Sequence, residues 1–329
     1  PLLRDASWAN AGLTFSPAGF IPSPVNPALL VPICSPGLSL VMAAFRALRV
    51  SEFLVVPLLG ALAVWLTYAI GRRIDRPITG AAAALLVVCS PTFLYQVVQP
   101  MSDVPAMAWW LLAVVWTIER EGGSSRPGLA GLAASMAVLT RPNLAPLTVV
   151  IAVYLRVVCG RGSRAGSVVR FGAGLVPGVL LLAVIQNAMY GSPLATGYGN
   201  VDTMMAAGHV VPNLGRYLEW LLETHTPLLL LGLAAPAVVR QPRHAWLCLG
   251  IAGTTLACYL PYRVFDDWWY TRFLLPAIPL LIVASVATLV ALVERFAPRL
   301  QLPVTAACVA AVMTLWITTA RARHAFDLS

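Results

Sequence analysis

Residues 52–76 read EFLVVPLLGALAVWLTYAIGRRIDR, an apolar run of nineteen residues followed by three arginines within five positions. After Glu52 at its start, no residue of the run up to Ile70 is charged. Nineteen helical residues rise about 28 Å, close to the roughly 30 Å thickness of the hydrocarbon core of a bilayer. The run therefore predicts a membrane-spanning helix, and the arginines that follow it indicate on which side the helix ends.

The whole chain has the composition that this run suggests. Hydrophobic residues make up 59% of the 329 residues and charged residues only 11%, and the mean hydropathy is +0.80. Because a soluble domain carries about 25% charged residues, this chain cannot cover a water-exposed surface of its own size. The apolar runs are continuous rather than alternating, which excludes a β-barrel and predicts helices. We therefore expect an all-α polytopic membrane protein.

Ten apolar segments are candidate spans, which predicts a bundle of about ten transmembrane helices. They are 52–70, 78–95, 103–118, 128–140, 142–158, 171–190, 226–239, 245–263, 273–293 and 302–320. Prolines exclude a regular helix before residue 36. Residues 37–49 are apolar but too short to cross, so we expect a helix that lies at the membrane interface.

The connections between these spans fall into two sets of different charge. One set holds thirteen arginines and four acids, whereas the other holds nine of each, so the whole net charge of +9 lies on one side. The positive-inside rule assigns the arginine-rich side to the cytoplasm, which leaves no reason to invoke nucleic acid. The arginine-rich connections are 71–77, 119–127, 159–170 with Arg156, 240–244 and 294–301. The balanced ones are 1–51, 96–102, 141, 191–225, 264–272 and 321–329, with Glu52, Asp103 and Arg263 at the adjoining span ends.

This assignment predicts the organisation of the chain and its location. We expect an extracytoplasmic loop over 1–51 that contains the interfacial helix 37–49. A transmembrane domain over 52–320 and the start of an extracytoplasmic tail over 321–329 follow. Long segments of varied chemistry carry function more often than short connections do. The long segments lie on the predicted outer side. We therefore expect an integral inner-membrane protein whose activity takes place outside the cytoplasm.

Two charged residues stand at the predicted outer ends of spans. Asp103 lies in the segment Met101–Pro105, where it could simply favour a helix start as a cap or a first-turn acid. Arg141 lies between two spans before Pro142, where it could simply extend to the interface. Charges at membrane depth are costly and often functional. We therefore predict a catalytic carboxylate at Asp103 and, at Arg141, a cation held for a phosphate or a carboxylate.

The segment Phe265–Pro276 has the densest cluster of chemically active side chains. Trp268, Trp269 and Tyr270 could form an ordinary interfacial aromatic belt. Adjacent carboxylates are not required by such a belt, and aromatic faces with carboxylates also describe a sugar-binding surface. We predict catalytic roles for Asp266 and Asp267, sugar or acceptor binding by the three aromatic residues, and a lipid-phosphate role for Arg272.

A glycine-rich loop and four titratable residues complete the predicted outer side. Tyr198 lies in the loop Gly197–Asn200, where the glycines allow tight turns and where we predict a further sugar or acceptor contact. Downstream, the spacing of the titratable residues fits no zinc motif, so the nature of any metal stays open. These residues are His209, Glu219, Glu223 and His225.

The order of these segments resembles that of bacterial GT-C glycosyltransferases. The relatives are the protein O-mannosyltransferases, the lipid A aminoarabinose transferases and the lipopolysaccharide-core transferases. The resemblance covers nearly the whole chain. It rests on Ser35–Leu38, Ser102–Pro105, Leu139–Asn143, Tyr190–Leu194, Gly197–Gly199 and Trp268–Pro276.

The resemblance implies a GT-C-like bundle and a sugar donor linked to a polyprenyl phosphate. The sugar would pass with inversion to an extracytoplasmic glycan, lipid or protein of the cell envelope, as in a hexosyl or pentosyl transferase. A carboxylate would act as base or as ligand of a divalent cation, and a basic residue would hold the phosphate. In the family that acid follows a first span before the Pro-Gly-Leu helix. We therefore expect the principal acid upstream of residue 1 and an inactive fragment.

Two other classes of function remain open at this stage. A transporter or flippase of a lipid-linked or small polar substrate would place ionisable or broken-helix sites near the midplane, often in repeated halves. The predicted spans have almost no ionisable residue inside, and no repeat is visible. The second alternative is a non-catalytic scaffold protein in which the acidic residues are remnants.

Overall fold

In a computed structural model of the chain, the described residues are 4–5, 19–119, 125–158, 164–198 and 204–326. Most of them are helical, as predicted. The helices are α1 (Pro36–Ala47), α2 (Val55–Ile74), α3 (Pro77–Cys89), α4 (Pro91–Val97), α5 (Asp103–Thr117), α6 (Pro127–Thr140), α7 (Leu147–Val158), α8 (Arg164–Tyr190), α9 (Val210–His225), α10 (Ala235–Val238), α11 (Pro242–Tyr259), α12 (Ile278–Phe296) and α13 (Gln301–Ala322). Short 3-10 segments lie between them, of which Pro227–Ala234 and Trp268–Leu274 are the longest.

The proline-rich start of the chain forms a small antiparallel sheet, which the sequence did not predict. Strands β1 (Arg4–Asp5) and β2 (Phe20–Pro22) both pair with β3 (Leu29–Pro32). Two hydrogen bonds attach the sheet to the end of α8. The Ser23 hydroxyl donates to the Met189 carbonyl at 2.7 Å, and the Tyr190 hydroxyl donates to the Pro32 carbonyl.

The number of helices long enough to cross a bilayer is smaller than the ten predicted spans. Four helical stretches of the described residues are long and apolar enough: Glu52–Ile74, Arg164–Tyr190, Ile278–Phe296 and Pro298–Ala322. The count is six if each of two bent helix pairs, Pro77–Val97 and Ala207–Val238, is one span. The polytopic α-helical membrane fold is therefore confirmed. Helices α1, α5 and α6 are apolar but shorter.

Glycines bring the backbones of α6 and α8 into direct contact. A side chain at Gly131 would collide with the Phe171 carbonyl, and one at Gly174 would collide with the Gly128 carbonyl. Small residues at a helix crossing are the usual means of close packing in membranes. This contact fixes α6, whose last residue precedes Arg141, against the longest helix of the bundle.

Contacts also join the connections at each end of the bundle. At the arginine-rich end, Arg76 pairs with Glu294, and Arg240 lies 3.7 Å from Asp75 and 3.6 Å from Glu294. At the other end, α1 contacts the end of α6 through Gly37. These contacts join connections 71–77, 240–244 and 294–301 at one end of the bundle and α1 with the end of α6 at the other. The assignment of the arginine-rich group to the cytoplasm stays a prediction.

A labelling experiment tests that assignment. Single cysteines at Ser192 and Ser163 should differ in intact cells, with an impermeant thiol reagent labelling position 192 and sparing position 163. Position 163 lies outside the described residues. Because Cys34 is exposed at the same end as Ser192, the experiment needs a Cys34→Ser background. Labelling at 163 with protection at 192 would show that the topology is the reverse of the predicted one.

Candidate functional site

A buried ion pair joins Asp103 at the start of α5 to Arg141 at the end of α6. The Arg141 Nη2 atom lies 2.7 Å from Asp103 Oδ1, and the side chains are 14% and 1% exposed. Consecutive antiparallel helices place both residues at one end of the bundle. Neither Asp103 oxygen accepts a well-aligned hydrogen bond from any described group. The carboxylate therefore pairs with Arg141 and does not cap the backbone N–H groups at the start of α5.

The other two guanidinium nitrogens of Arg141 also have partners. Its Nε atom donates to the Ser102 hydroxyl at 3.1 Å, and Nη1 donates to the Tyr259 hydroxyl at 2.7 Å. The guanidinium carbon lies 5.3 Å from the centre of the Phe273 ring. A guanidinium held on three sides and over an aromatic ring has a fixed orientation, as recognition of an anion requires.

The Pro-Gly-Leu segment at the start of α1 packs against the backbone next to Arg141. A side-chain carbon at Gly37 would lie 2.5 Å from the backbone nitrogen of Thr140. Only glycine allows the first turn of α1 to approach α6 this closely. The contact explains the glycine of the Ser35–Leu38 segment, because it sets the backbone that immediately precedes Arg141.

A second cation lies near the first, on the 3-10 segment Trp268–Leu274. The Arg272 guanidinium carbon lies 5.1 Å from the centre of the Tyr270 ring and 5.3 Å from that of Phe273. The Nη1 atom contacts the Met101 sulfur at 3.1 Å. Within the described residues Arg272 has no carboxylate partner, and its buried Nε has no hydrogen-bond acceptor. The Phe273 ring thus lies beside two arginines. Asp103 balances the charge of Arg141, whereas Arg272 has no acid partner among the described residues.

The two carboxylates before this segment lie outside the Arg141 cluster. Asp266 pairs with Arg216, and its side chain is 86% exposed. Asp267 is exposed, and among the described residues it has no ion pair. Of the three predicted catalytic acids, the structure therefore brings only Asp103 to the arginines.

The predicted sugar-binding aromatics occupy different environments. Trp268 is buried and its ring lies 5.5 Å from that of Tyr95, whereas Trp269 is partly exposed. Tyr270 stacks on Phe265 at 3.8 Å and belongs to the ring cluster around Phe273.

The predicted loop residue Tyr198 lies at the edge of the site, close enough to interact electrostatically with Arg141 and Tyr262. Tyr198 is 49% exposed, and its hydroxyl lies 3.9 Å from the Cys34 sulfur. Gly199 and Asn200 lie outside the described residues.

His225 was expected in an outer connection, but it is fully buried at the end of α9.

Within the described ranges, no three His, Cys, Asp or Glu side chains come together to hold a metal ion.

Three residues of the cluster carried no sequence signal of function. Tyr259 stacks on Phe273 with ring centres 4.8 Å apart, and it ends the apolar helix α11 as a core residue would. Phe265 and Tyr262 complete the ring cluster around Phe273. Aromatic residues at the end of an apolar run are common, so only the folded contacts identify them.

Comparisons with known proteins agree with this architecture. Its fold matches those of two solved ArnT structures, in line with the sequence resemblance, and residues 32–190 match the family model for dolichyl-phosphate-mannose-protein mannosyltransferase. It is similar to ArnT from Cupriavidus metallidurans bound to undecaprenyl phosphate, with TM-score 0.60 and 18% identity over 85% of this chain and 53% of that one.

The apo ArnT structure gives a TM-score of 0.59 and 18% identity, covering 84% of this chain and 53% of that one. The chain therefore spans about half the length of ArnT. No protein with a curated description matches it significantly in sequence.

Proposed function

We propose that this protein is part of a membrane glycosyltransferase that takes a sugar from a polyprenyl-phosphate donor and transfers it to an extracytoplasmic acceptor. The observation that carries the proposal is the pair of arginines around Phe273, one held by Asp103 and one without an acid partner. The match to a mannosyltransferase family model and the fold shared with ArnT support this class of reaction.

The uncompensated cation is the proposed ligand of the donor phosphate. Arg272 has free charge to offer, and a guanidinium binds phosphate oxygens through two parallel hydrogen bonds. A cavity of about 220 Å³, lined by aliphatic side chains, includes Leu274 in its wall, two residues after Arg272 on the same 3-10 segment. Leu256, one turn before Tyr259, also lines it. An apolar cavity that shares a segment with a cation suits a phosphate that carries a prenyl chain.

The proposed reaction is a displacement at the anomeric carbon. The acceptor oxygen forms a bond to that carbon while the bond from the carbon to the phosphate oxygen breaks. The electron pair stays on the departing polyprenyl phosphate, and the acceptor proton passes to a carboxylate. Attack opposite the phosphate inverts the anomeric centre. Oriented cations stabilise the charge that develops on the leaving phosphate.

The acids have distinct proposed roles. Asp103 is buried and paired, so it orients Arg141 and balances its charge. Asp267 has an exposed carboxylate without an ion pair in the described part of the chain. It is therefore the candidate among these residues for the proton-accepting role, with Trp269 and Tyr270 beside it to contact the sugar or the acceptor.

The test is a transfer assay with the full-length protein in proteoliposomes. A donor with a labelled sugar on polyprenyl phosphate should yield labelled acceptor and free polyprenyl phosphate in equal amounts. A parallel measurement of donor movement across the bilayer addresses the transporter or flippase alternative. Translocation of intact donor without release of polyprenyl phosphate would reject the proposed function. The inner membrane of a bacterium is the proposed location.

A further inference from the structure

Two helix breaks meet inside the bundle. Helices α3 and α4 bend by 63° at Ser90, and the helical pair Ala207–His225 and Pro227–Val238 bends by 105° at Thr226. The Ser90 hydroxyl lies 2.7 Å from Nε2 of His225, which is fully buried. Each break exposes backbone that a continuous helix would satisfy, and this hydrogen bond joins the two breaks directly.

The surrounding hydrogen bonds determine which atoms donate. The Thr224 hydroxyl donates to the Trp220 carbonyl at 2.6 Å, so it accepts from Nδ1–H of His225 at 2.8 Å. A neutral imidazole with its proton on Nδ1 has an acceptor at Nε2, so the Ser90 hydroxyl donates to it. The Ser90 oxygen also accepts from the Phe93 N–H at 3.4 Å as the cap of α4. The start of α4 is thereby fixed.

Helix α4 in turn holds the segment that carries Arg272. The Thr92 and Thr271 hydroxyl oxygens lie 3.0 Å apart, and both residues are buried. Thr271 donates its single hydroxyl proton to the Trp268 carbonyl at 2.7 Å, so Thr92 must donate to Thr271. One turn along α4, Tyr95 packs against Trp268 and Trp269.

We propose that Thr92 is a positioning residue for Arg272. Its hydroxyl is a polar link from α4 to the residue directly before Arg272, in a buried region where a lost partner is not replaced by water. The link fixes the 3-10 segment so that the guanidinium stays over Tyr270 and Phe273. This inference rests on the proposed role of Arg272 as the phosphate ligand.

The experiment measures binding of undecaprenyl phosphate to the full-length protein. Thr92→Val keeps the shape and removes the donor, and we expect the dissociation constant to rise about two- to tenfold, the effect of one hydrogen bond. Thr92→Ser restores the hydroxyl and should restore the affinity. Thr67→Val is the matched control, because Thr67 is equally buried and its hydroxyl donates only to its own helix at Ala63.

The outcomes separate this inference from the proposed function. In the transfer assay, Thr92→Val should raise KM for the lipid donor and lower kcat/KM, Thr92→Ser should restore both, and Thr67→Val should change neither. An unchanged affinity in Arg272→Ala would reject the phosphate role itself. If Arg272→Ala weakens binding but Thr92→Val behaves like Thr67→Val, Thr92 has no positioning role. Should Thr92→Val not fold, Thr271→Val removes the same hydrogen bond together with the one to the Trp268 carbonyl. An unchanged affinity in that variant would also overturn the positioning role.

Discussion

Replacement of Arg141 by alanine is expected to lower the free energy of unfolding by about 3–5 kcal/mol, the usual effect of removing one partner of a buried ion pair. The variant leaves the Asp103 carboxylate 1% exposed and without its cation. It also removes the donor to the Tyr259 hydroxyl. The measurement is unfolding of the purified protein in detergent, together with the transfer assay, in which the variant should be inactive.

A surface ion pair provides the control for this prediction. Arg46 lies 3.0 Å from Glu52, but its side chain is 78% exposed. Arg46→Ala should therefore change the free energy of unfolding by at most about 1 kcal/mol. Equal losses in Arg46→Ala and Arg141→Ala would contradict a buried, tightly coupled pair.

Two further variants separate charge pairing from helix capping. Asp103→Leu combined with Arg141→Met removes both charges, so it should retain more stability than Arg141→Ala alone. Asparagine caps helices as well as aspartate, so a capping role would make Asp103→Asn harmless. Because the carboxylate faces Arg141, we expect Asp103→Asn to lose stability.

Replacement of Arg272 by alanine is expected to weaken binding of undecaprenyl phosphate about ten- to a hundredfold. A hydrogen bond to a charged group contributes about 1.5–3 kcal/mol, and each 1.4 kcal/mol is about a tenfold change in affinity. Arg272→Lys keeps a point charge but loses the planar fork, so its affinity should lie in between. The measurement is a binding isotherm with purified protein and the lipid phosphate.

Two variants control for packing and for general charge. Arg272→Met preserves an unbranched apolar stem beside Phe273, so a loss of affinity there is due to the missing charge. Arg263→Ala removes an exposed arginine from the same connection, and Arg263 has no ion pair among the described residues. If Arg263→Ala weakens binding as much as Arg272→Ala, the lipid phosphate responds to overall charge and Arg272 is not its ligand.

Hydrophobic pattern predicted the helices well because the bilayer requires it. Each predicted span corresponds to helical structure, and continuous apolar runs leave the chain no other hydrogen-bonded state in lipid. The breaks were missed although the chain marks them. Ser90–Pro91 interrupts the predicted span 78–95, and the residue before a proline disfavours helical backbone.

The ion pair shows what local sequence cannot provide. Asp103 and Arg141 each stood out as charges at the ends of apolar runs, yet their contact depends on how closely α5 and α6 pack. Tyr259 gave no signal at all, because a tyrosine at the end of an apolar helix resembles a core residue until its hydroxyl meets Arg141. The sequence thus identified the charged residues that are costly to bury. It did not identify the neutral groups, such as the Tyr259 hydroxyl, that form hydrogen bonds with them.

The length of α6 bears on the depth of the site. Its 14 residues extend about 21 Å, roughly 9 Å less than the hydrocarbon thickness of a typical bilayer. Unless the membrane thins around it, one end of α6 lies below the headgroups. Arg126 at its start is exposed, whereas Arg141 beyond its last turn is neutralised by Asp103 and tolerates a low dielectric. Such hydrophobic mismatch would lower the Arg141 end beneath the leaflet surface, where the proposed prenyl-linked donor would reach it by lateral diffusion within the membrane.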